Sequence, residues 1–181
     1  MTSIFTGERV RLRALGTADA AAVMAFDADT EDKAAASRVV PPRTLEKYQA
    51  SFHERATGRT DWDRLHLGVE ALESGALVGT VGVSEADHGH GRFWYSVQIG
   101  RRYQRRGYAT EAVTLALRYM FAERRFHKCE TGVYAFNGAS LALHRKLGFV
   151  EEGRRREHVF IHGRYHDAIL FGMTAQEFFA R

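Results

Sequence analysis

The chain is poor in several things, and each shortage excludes a class of answer. It holds one cysteine, Cys129, in 181 residues, which rules out an intrachain disulfide and a cysteine metal cluster. Cys129 lies in the apolar and threonine-bearing segment 129–135, where a buried strand residue is favoured over a nucleophile. The two prolines are adjacent, Pro41-Pro42, so proline breaks the chain in one place only. No apolar run approaches the ~20 residues that span a bilayer. The start, Met1-Thr2-Ser3-Ile4-Phe5-Thr6-Gly7-Glu8, lacks a basic segment followed by an apolar one. A cytoplasmic protein with no membrane partner is the expectation. Neither Gly-x-x-x-x-Gly-Lys-Ser/Thr nor Gly-x-Gly-x-x-Gly occurs, so nucleoside triphosphates and dinucleotides lack their usual loops.

What is present suits one substantial core. With 45% hydrophobic residues, the length fits a single domain over 1–181. The net charge of +4 would suit nucleic acid, an acidic surface or a phosphorylated ligand. Of the 26 basic residues 22 are arginine, and they gather as Arg101, Arg102, Arg105 and Arg106, then as Arg154, Arg155 and Arg156. The second cluster reads as a solvated face. The first adjoins a turn that favours phosphate.

Residues 9–14 alternate polar and apolar as a half-buried strand does, and Thr17 offers a cap for a helix over 19–26. A polar, alanine-rich stretch, 30–38, precedes the proline pair. Thr44 then offers a cap for a helix with Leu45, Tyr48 and Phe52 on one side. Segments 65–71 and 76–83 predict a β-hairpin, 84–91 a charged glycine-bearing loop, and 93–99 a strand. Ala109, Ala112, Val113, Ala116, Leu117, Met120 and Phe121 recur at helical spacing, which predicts a helix packed on a sheet. A strand over 130–134, a short helix over 137–147, a closing hairpin turning at His162-Gly163, and a capping box at Thr174-Ala175-Gln176-Glu177 complete the chain. Interleaved strands and helices with hairpins at both ends favour a mixed sheet.

Gln104-Arg105-Arg106-Gly107-Tyr108-Ala109 sits where the strand over 93–99 passes into the amphipathic helix. Gly107 and Ala109 let the backbone approach a ligand, and successive N–H groups at a helix start can aim at one anion. About thirty residues on, Asn137-Gly138-Ala139-Ser140 opens a helix that ends at Leu147-Gly148-Phe149 with a C-cap glycine. Asn137, Ser140 and His144, at i, i+3 and i+7, form a polar stripe on it, facing either water or a site.

These two motifs resemble the signatures of the GNAT superfamily of N-acetyltransferases: Gln/Arg-x-x-Gly-x-Gly/Ala for the acetyl-CoA pyrophosphate loop, and Asn-x-x-Ala/Ser followed by Leu-Gly-Phe. Within it, Asn137-x-x-Ser140, Glu152-Gly153-x-x-Arg156, Gly163-x-Tyr165-x-Asp167 and the opening Gly7-Glu8-Arg9-Val10-x-Leu12-Arg13 are similar to the ribosomal-protein N-terminal acetyltransferases of the RimJ and RimL kind. The resemblance covers nearly the whole chain and is strongest over 95–167. It implies an α/β (α+β) fold with a mixed, mostly antiparallel twisted sheet, flanked by helices, whose central strands splay to admit the pantetheine arm.

The resemblance also implies the chemistry. Acetyl-CoA as co-substrate would give its acetyl group to a primary amine, a protein or peptide N-terminal amine first, by direct transfer through a tetrahedral intermediate. Gln104, Arg105, Arg106, Gly107, Tyr108 and Ala109 would hold the pyrophosphate, with the Thr110 hydroxyl as an extra donor. The oxyanion donor would come from the backbone near Gln98 or Ile99, and Asn137 would position the pantetheine or a water. Many members place a tyrosine where His144 stands; in the RimL-like branch Ser140 would protonate the leaving thiolate, with His144 second. The family's strand glutamate is replaced by Trp94, which accepts no proton. The base is left among Glu157, Glu85, Asp87, His88, His90 and a water chain, since an α-amine titrates near pH 8 and is partly neutral.

Alternatives remain. A small amine such as an antibiotic, a polyamine or an amino acid derivative would need the same fold. Acidic lining in the pocket would favour a polycation and an open groove a peptide. A non-catalytic acyl-CoA-binding module is suggested by Trp94 and His144. Nucleic-acid binding ranks last, since no aromatic and basic stacking face is legible. His158, His162 and His166 are spaced by four and His88-Gly89-His90 is close-set, yet without matched cysteine or carboxylate no metal is expected. A homodimer is among the assemblies allowed.

Overall fold

The computed structural model describes residues 3–36, 39, 41–57 and 65–181. Met1 and Thr2 of the N-terminal stretch and the last two residues of the alanine-rich stretch 30–38 lie outside that set. Among the described residues no helix is long and apolar enough to cross a membrane.

Seven strands form one sheet: β1 (Val10–Ala14), β2 (His66–Ala71), β3 (Leu77–Asp87), β4 (Arg92–Ile99), β5 (Lys128–Tyr134), β6 (Val150–Ile161) and β7 (Arg164–Thr174). Their order is β1-β2-β3-β4-β5-β7-β6, and every neighbouring pair is antiparallel except β4 and β5. The helices are α1 (Ala20–Ala28), α2 (Thr30–Ala36), α3 (Leu45–Thr57), α4 (Tyr108–Arg118), α5 (Gly138–Leu147) and α6 (Ala175–Phe179).

One break in the sheet organises everything else. β4 pairs with β5 only at Arg92↔Lys128, Phe93↔Cys129 and Trp94↔Glu130. Beyond that rung β4 stays zipped to β3 as far as Ile99, and β5 to β7 as far as Tyr134. The two strands therefore splay into a V that opens toward their C-terminal ends. Backbone amides along the inner edges of a V have no opposite strand and need other partners, which suits an inserted chain that carries amides of its own.

α4 holds the V from one face. Its Val113 and Leu117, with Met120 and Phe121 of the π-helical turn (Tyr119–Glu123) that continues it, pack on Phe93, Phe126 and Phe149, with Phe93 meeting Phe121 edge-on at 5.6 Å. Nearer its start, Ala112, Leu115, Ala116 and Tyr108 cover Val10, Val69, Val78 and Val81. Thus the apolar stripe predicted from spacing is core. On the opposite face α1 and α3 bury Val23, Phe26, Tyr48 and Phe52 against Leu77. Cys129 is fully buried, and burial pushes its thiol up, as suits a packed strand residue.

Three local expectations change, and one stretch that was given no element takes one. Thr17 caps nothing: residues 17–19 form a 3-10 turn, and Asp19 accepts the Gly16 N–H (2.8 Å) and the Arg13 guanidinium. The alanine-rich stretch is helical over Thr30–Ala36, because alanine's propensity outweighs the local polarity. β3 runs on to Asp87 through an irregularity at Ser84, where Glu85 adopts φ 51°, so the loop is shorter than 84–91. Arg101 pairs with Asp29 and Glu31, both at 2.9 Å, rather than standing ready for phosphate. The capping box at Thr174 and the caps at Thr44 and Gly148 form as expected.

Candidate active site

The turn after β4 presents donors. Arg105 and Gly107 both adopt left-handed φ (61° and 83°), which curls the backbone around Arg106 into a nest. The helical ladder begins when Glu111 N–H reaches the Gly107 carbonyl (3.2 Å). The N–H groups of Tyr108, Ala109 and Thr110 thus precede the ladder at the positive end of the helix dipole. The Gln104 amide braces the turn by donating to the Ile99 carbonyl (3.1 Å). Arg105 and Arg106 are exposed, Thr110 is half-buried, and Tyr108 turns inward with its hydroxyl on Glu73 (2.6 Å).

Glu111, unremarked in sequence, anchors this turn to the N-terminal segment. Its carboxylate accepts the backbone N–H groups of Glu8, Arg9 and Val10 at 2.6, 2.8 and 2.8 Å. The same clamp brings Arg9 over the turn, its Nη1 3.0 Å from where a Cβ on Gly107 would stand. An acid in a first helical turn was the only signal, and it reads equally as a dipole partner.

The polar stripe on α5 faces inward. Asn137 caps the helix by accepting Ser140 N–H (3.0 Å), and its amide donates to the Ala35 carbonyl of α2 (2.8 Å). His144 is buried; it stacks on Phe171 and meets Phe149 edge-on. Its Nδ1 lies 2.7 Å from the Ser140 carbonyl and so carries the proton, leaving Nε2 to accept from the Tyr95 hydroxyl (2.7 Å). Burial lowers the His144 pKa and raises that of Tyr95, so the pair is neutral. Ser140 is half-buried, its Oγ 3.4 Å from Nδ1. Both nitrogens of His144 are occupied, which leaves Ser140 as the group on this stripe with a free hydroxyl proton.

The candidate bases scatter. Glu157 is exposed in a bulge of β6 (φ 48°), its N–H on Asp167 (2.9 Å). Asp87 binds His90 (3.0 Å) and Arg92 (3.3 Å) at the turn below the closed end of the V, and the His88 ring lies on Phe126. Trp94 does occupy the last rung, and its indole N–H donates to Glu130 of the neighbouring strand (3.2 Å). Among the described residues no three histidine, cysteine or carboxylate side chains converge on a metal position.

A cleft of about 620 Å³ opens beyond the C-terminal end of β5, lined by Ala34, Tyr134, His158 and Phe160 among others. It adjoins the Asn137 contact with α2. Tyr134, the last residue of β5, puts the cleft at the open end of the V.

The model of the acetyltransferase (GNAT) domain matches residues 9–150. The chain belongs to the GNAT family. It is an N-acetyltransferase whose co-substrate is acetyl-CoA. It is 33% identical over 180 residues to the SPbeta prophage-derived N-acetyltransferase YokL of Bacillus subtilis, covering 96% of this chain and 94% of that one. It is 33% identical over 106 residues to the spermidine N(1)-acetyltransferase of Escherichia coli, covering 59% and 57%. Its fold is similar to that of a Vibrio cholerae spermidine N-acetyltransferase solved with CoA and spermine (TM-score 0.82, 22% identity, 94% and 98% covered). The GNAT fold expected from the two motifs, with its splayed central strands, is the one observed.

Proposed function

We propose that this N-acetyltransferase, one domain over 1–181, acetylates the primary amine of a small molecule. The observation that carries the reading is the cleft of about 620 Å³ at the open end of β5, within the roughly 300–1,000 Å³ of small-molecule sites. The relationship to a spermidine acetyltransferase supports it. A peptide N-terminal amine, suggested by the spelling Asn137-x-x-Ser140, becomes the second reading.

The residues take these roles. N–H groups from Arg105 to Thr110 receive the pyrophosphate, with Gln104 bracing the turn and Arg106 adding charge. Amides of β4 as far as Ile99 receive the pantetheine arm and the developing oxyanion, where preorganised donors act most strongly. Asn137 holds the start of α5 beside the V. Ser140 protonates the departing thiolate. His144, engaged on both sides, positions Ser140 instead of donating itself. Glu157, next to the cleft-lining His158, serves acceptor recognition.

Incubation with acetyl-CoA and two panels, small primary amines and N-terminal peptides, followed by thiol release and mass spectrometry, tests the reading. Acetylated small amines are expected. Product from peptides alone would reverse the order of the two readings.

A further inference from the structure

Deprotonation of the amine is the step that the family resemblance leaves without an owner, since Trp94 stands where a glutamate is common. Strand register supplies one. Trp94 pairs with Glu130 on the last rung before the V opens, so the two side chains share a face, and the indole N–H donates to Glu130 Oε2 (3.2 Å). We propose that Glu130 is the general base of the transfer, a role that rests on the acetyltransferase reading above.

The face is the one that an acceptor would use. Along β4, Phe93 and Tyr95 pack under α4 and α5, whereas Gln98 reaches the Phe26 carbonyl of α1. Trp94 and Glu130 therefore lie on the side away from the phosphate turn's helix. On β5, Glu130, Gly132 and Tyr134 fall on that same side by strand alternation, and Tyr134 lines the cleft.

Gly132 leaves the floor between them open. It is exposed although it sits on a central strand, and a Cβ there would stand 3.6 Å from Trp94 and 3.9 Å from Leu170. A path of about 13 Å, four strand residues long, thus runs from the cleft over Gly132 to the Glu130 carboxylate. An acyl arm held at the phosphate turn would enter the V where β4 and β5 part, just past the Trp94–Glu130 rung.

Glu130 is held without being enclosed. Its side chain is 21% exposed, Arg92 Nη1 lies 3.9 Å from Oε2, and Lys128 Nζ lies 3.6 Å from Oε1. Lys128 is drawn away to Glu152 at 2.8 Å. Oε1 thus has Lys128 as its nearest cation, at 3.6 Å, beyond a close ion pair.

In the proposed step the substrate ammonium gives one proton to Glu130, directly or through one water. The freed lone pair forms the C–N bond to the thioester carbonyl. When the C–S bond breaks, the nitrogen loses its second proton and the thiolate gains one by way of Ser140, yielding amide and free CoA. Glu130 then releases its proton to water.

The test is Glu130→Gln, which keeps the length and can still accept the Trp94 N–H. Expected are a fall in kcat of about 100-fold, an acetyl-CoA Kd within twofold by calorimetry, and an unchanged unfolding midpoint. A structural ion pair would show the reverse, a lowered midpoint with kcat retained; kcat within threefold of wild type overturns the assignment. Gly132→Val should raise the acceptor KM at least tenfold with the acetyl-CoA Kd unchanged, and an unaltered KM overturns the path. A wild type that acetylates no amine overturns the acetyltransferase role and Glu130's role with it. Wild-type turnover unaffected by Glu130→Gln removes Glu130 alone.

Discussion

Tyr95 donates its phenolic proton to His144 Nε2 across 2.7 Å, joining the first β4 residue past the last paired rung to the inner face of α5. This bond fixes the distance between one arm of the V and the helix that carries Ser140. Tyr95→Phe leaves a buried imidazole acceptor unsatisfied and should cost about 1–3 kcal/mol. Denaturant unfolding measures the loss, and kcat should fall more than acetyl-CoA affinity as Ser140 loosens.

The same histidine makes stability depend on pH. Its folded pKa lies below the ordinary 6.5 because burial penalises the imidazolium. The unfolded chain therefore binds the proton first as pH falls. His144's contribution is whole above about pH 6.5 and is lost progressively as pH drops toward the folded value. Unfolding free energies at pH 7.5 and 5.5 should differ more in wild type than in His144→Gln, which cannot titrate there.

Gly107 sits at φ 83° beneath Arg9. Gly107→Ala places a Cβ in the left-handed region at a cost of about 1–2 kcal/mol and pushes the guanidinium away. Acetyl-CoA affinity should weaken at least tenfold by calorimetry while far-ultraviolet circular dichroism stays native. Unchanged affinity would remove the turn from the cofactor site.

Glu111 gathers the backbone N–H groups of Glu8, Arg9 and Val10 on one carboxylate. Glu111→Ala should destabilise by about 2 kcal/mol, given hydrogen bonds to a charged acceptor that are partly exposed. Hydrogen exchange of residues 8–10 should accelerate selectively. A stability change with unaltered exchange there would mean that the clamp is not the source.

Ser140→Ala should lower kcat by roughly 100-fold, the low end of general acid catalysis, with acetyl-CoA affinity retained. Retained turnover would hand the thiolate's proton to solvent.

The periodic stripe of α4, the capping box at Thr174 and the C-cap at Gly148 were legible because each rests on spacing within a few residues. So was the turn ahead of α4, where glycine, a small residue and a helix start are adjacent in the chain. The helix at Thr30–Ala36 and the extension of β3 to Asp87 were less so, since polar neighbours masked alanine's helix propensity in the one and the irregularity at Ser84 interrupts the strand pattern in the other. The direction of the Asn137, Ser140 and His144 stripe could not be read, because a polar face looks the same whether it meets water or buried partners. Tyr95, 49 positions away, decided it.

Local order, the turn ahead of α4 and the class of reaction were thus written in short stretches of sequence, where neighbours along the chain are also neighbours in space. Where strands β4 and β5 part, that Glu130 meets Trp94, that Gly132 leaves a path and that Glu111 reaches residues 8–10 were decided only in three dimensions. Those contacts join residues 36 to 103 positions apart, and their geometry follows from strand register and helix docking, which no local pattern encodes.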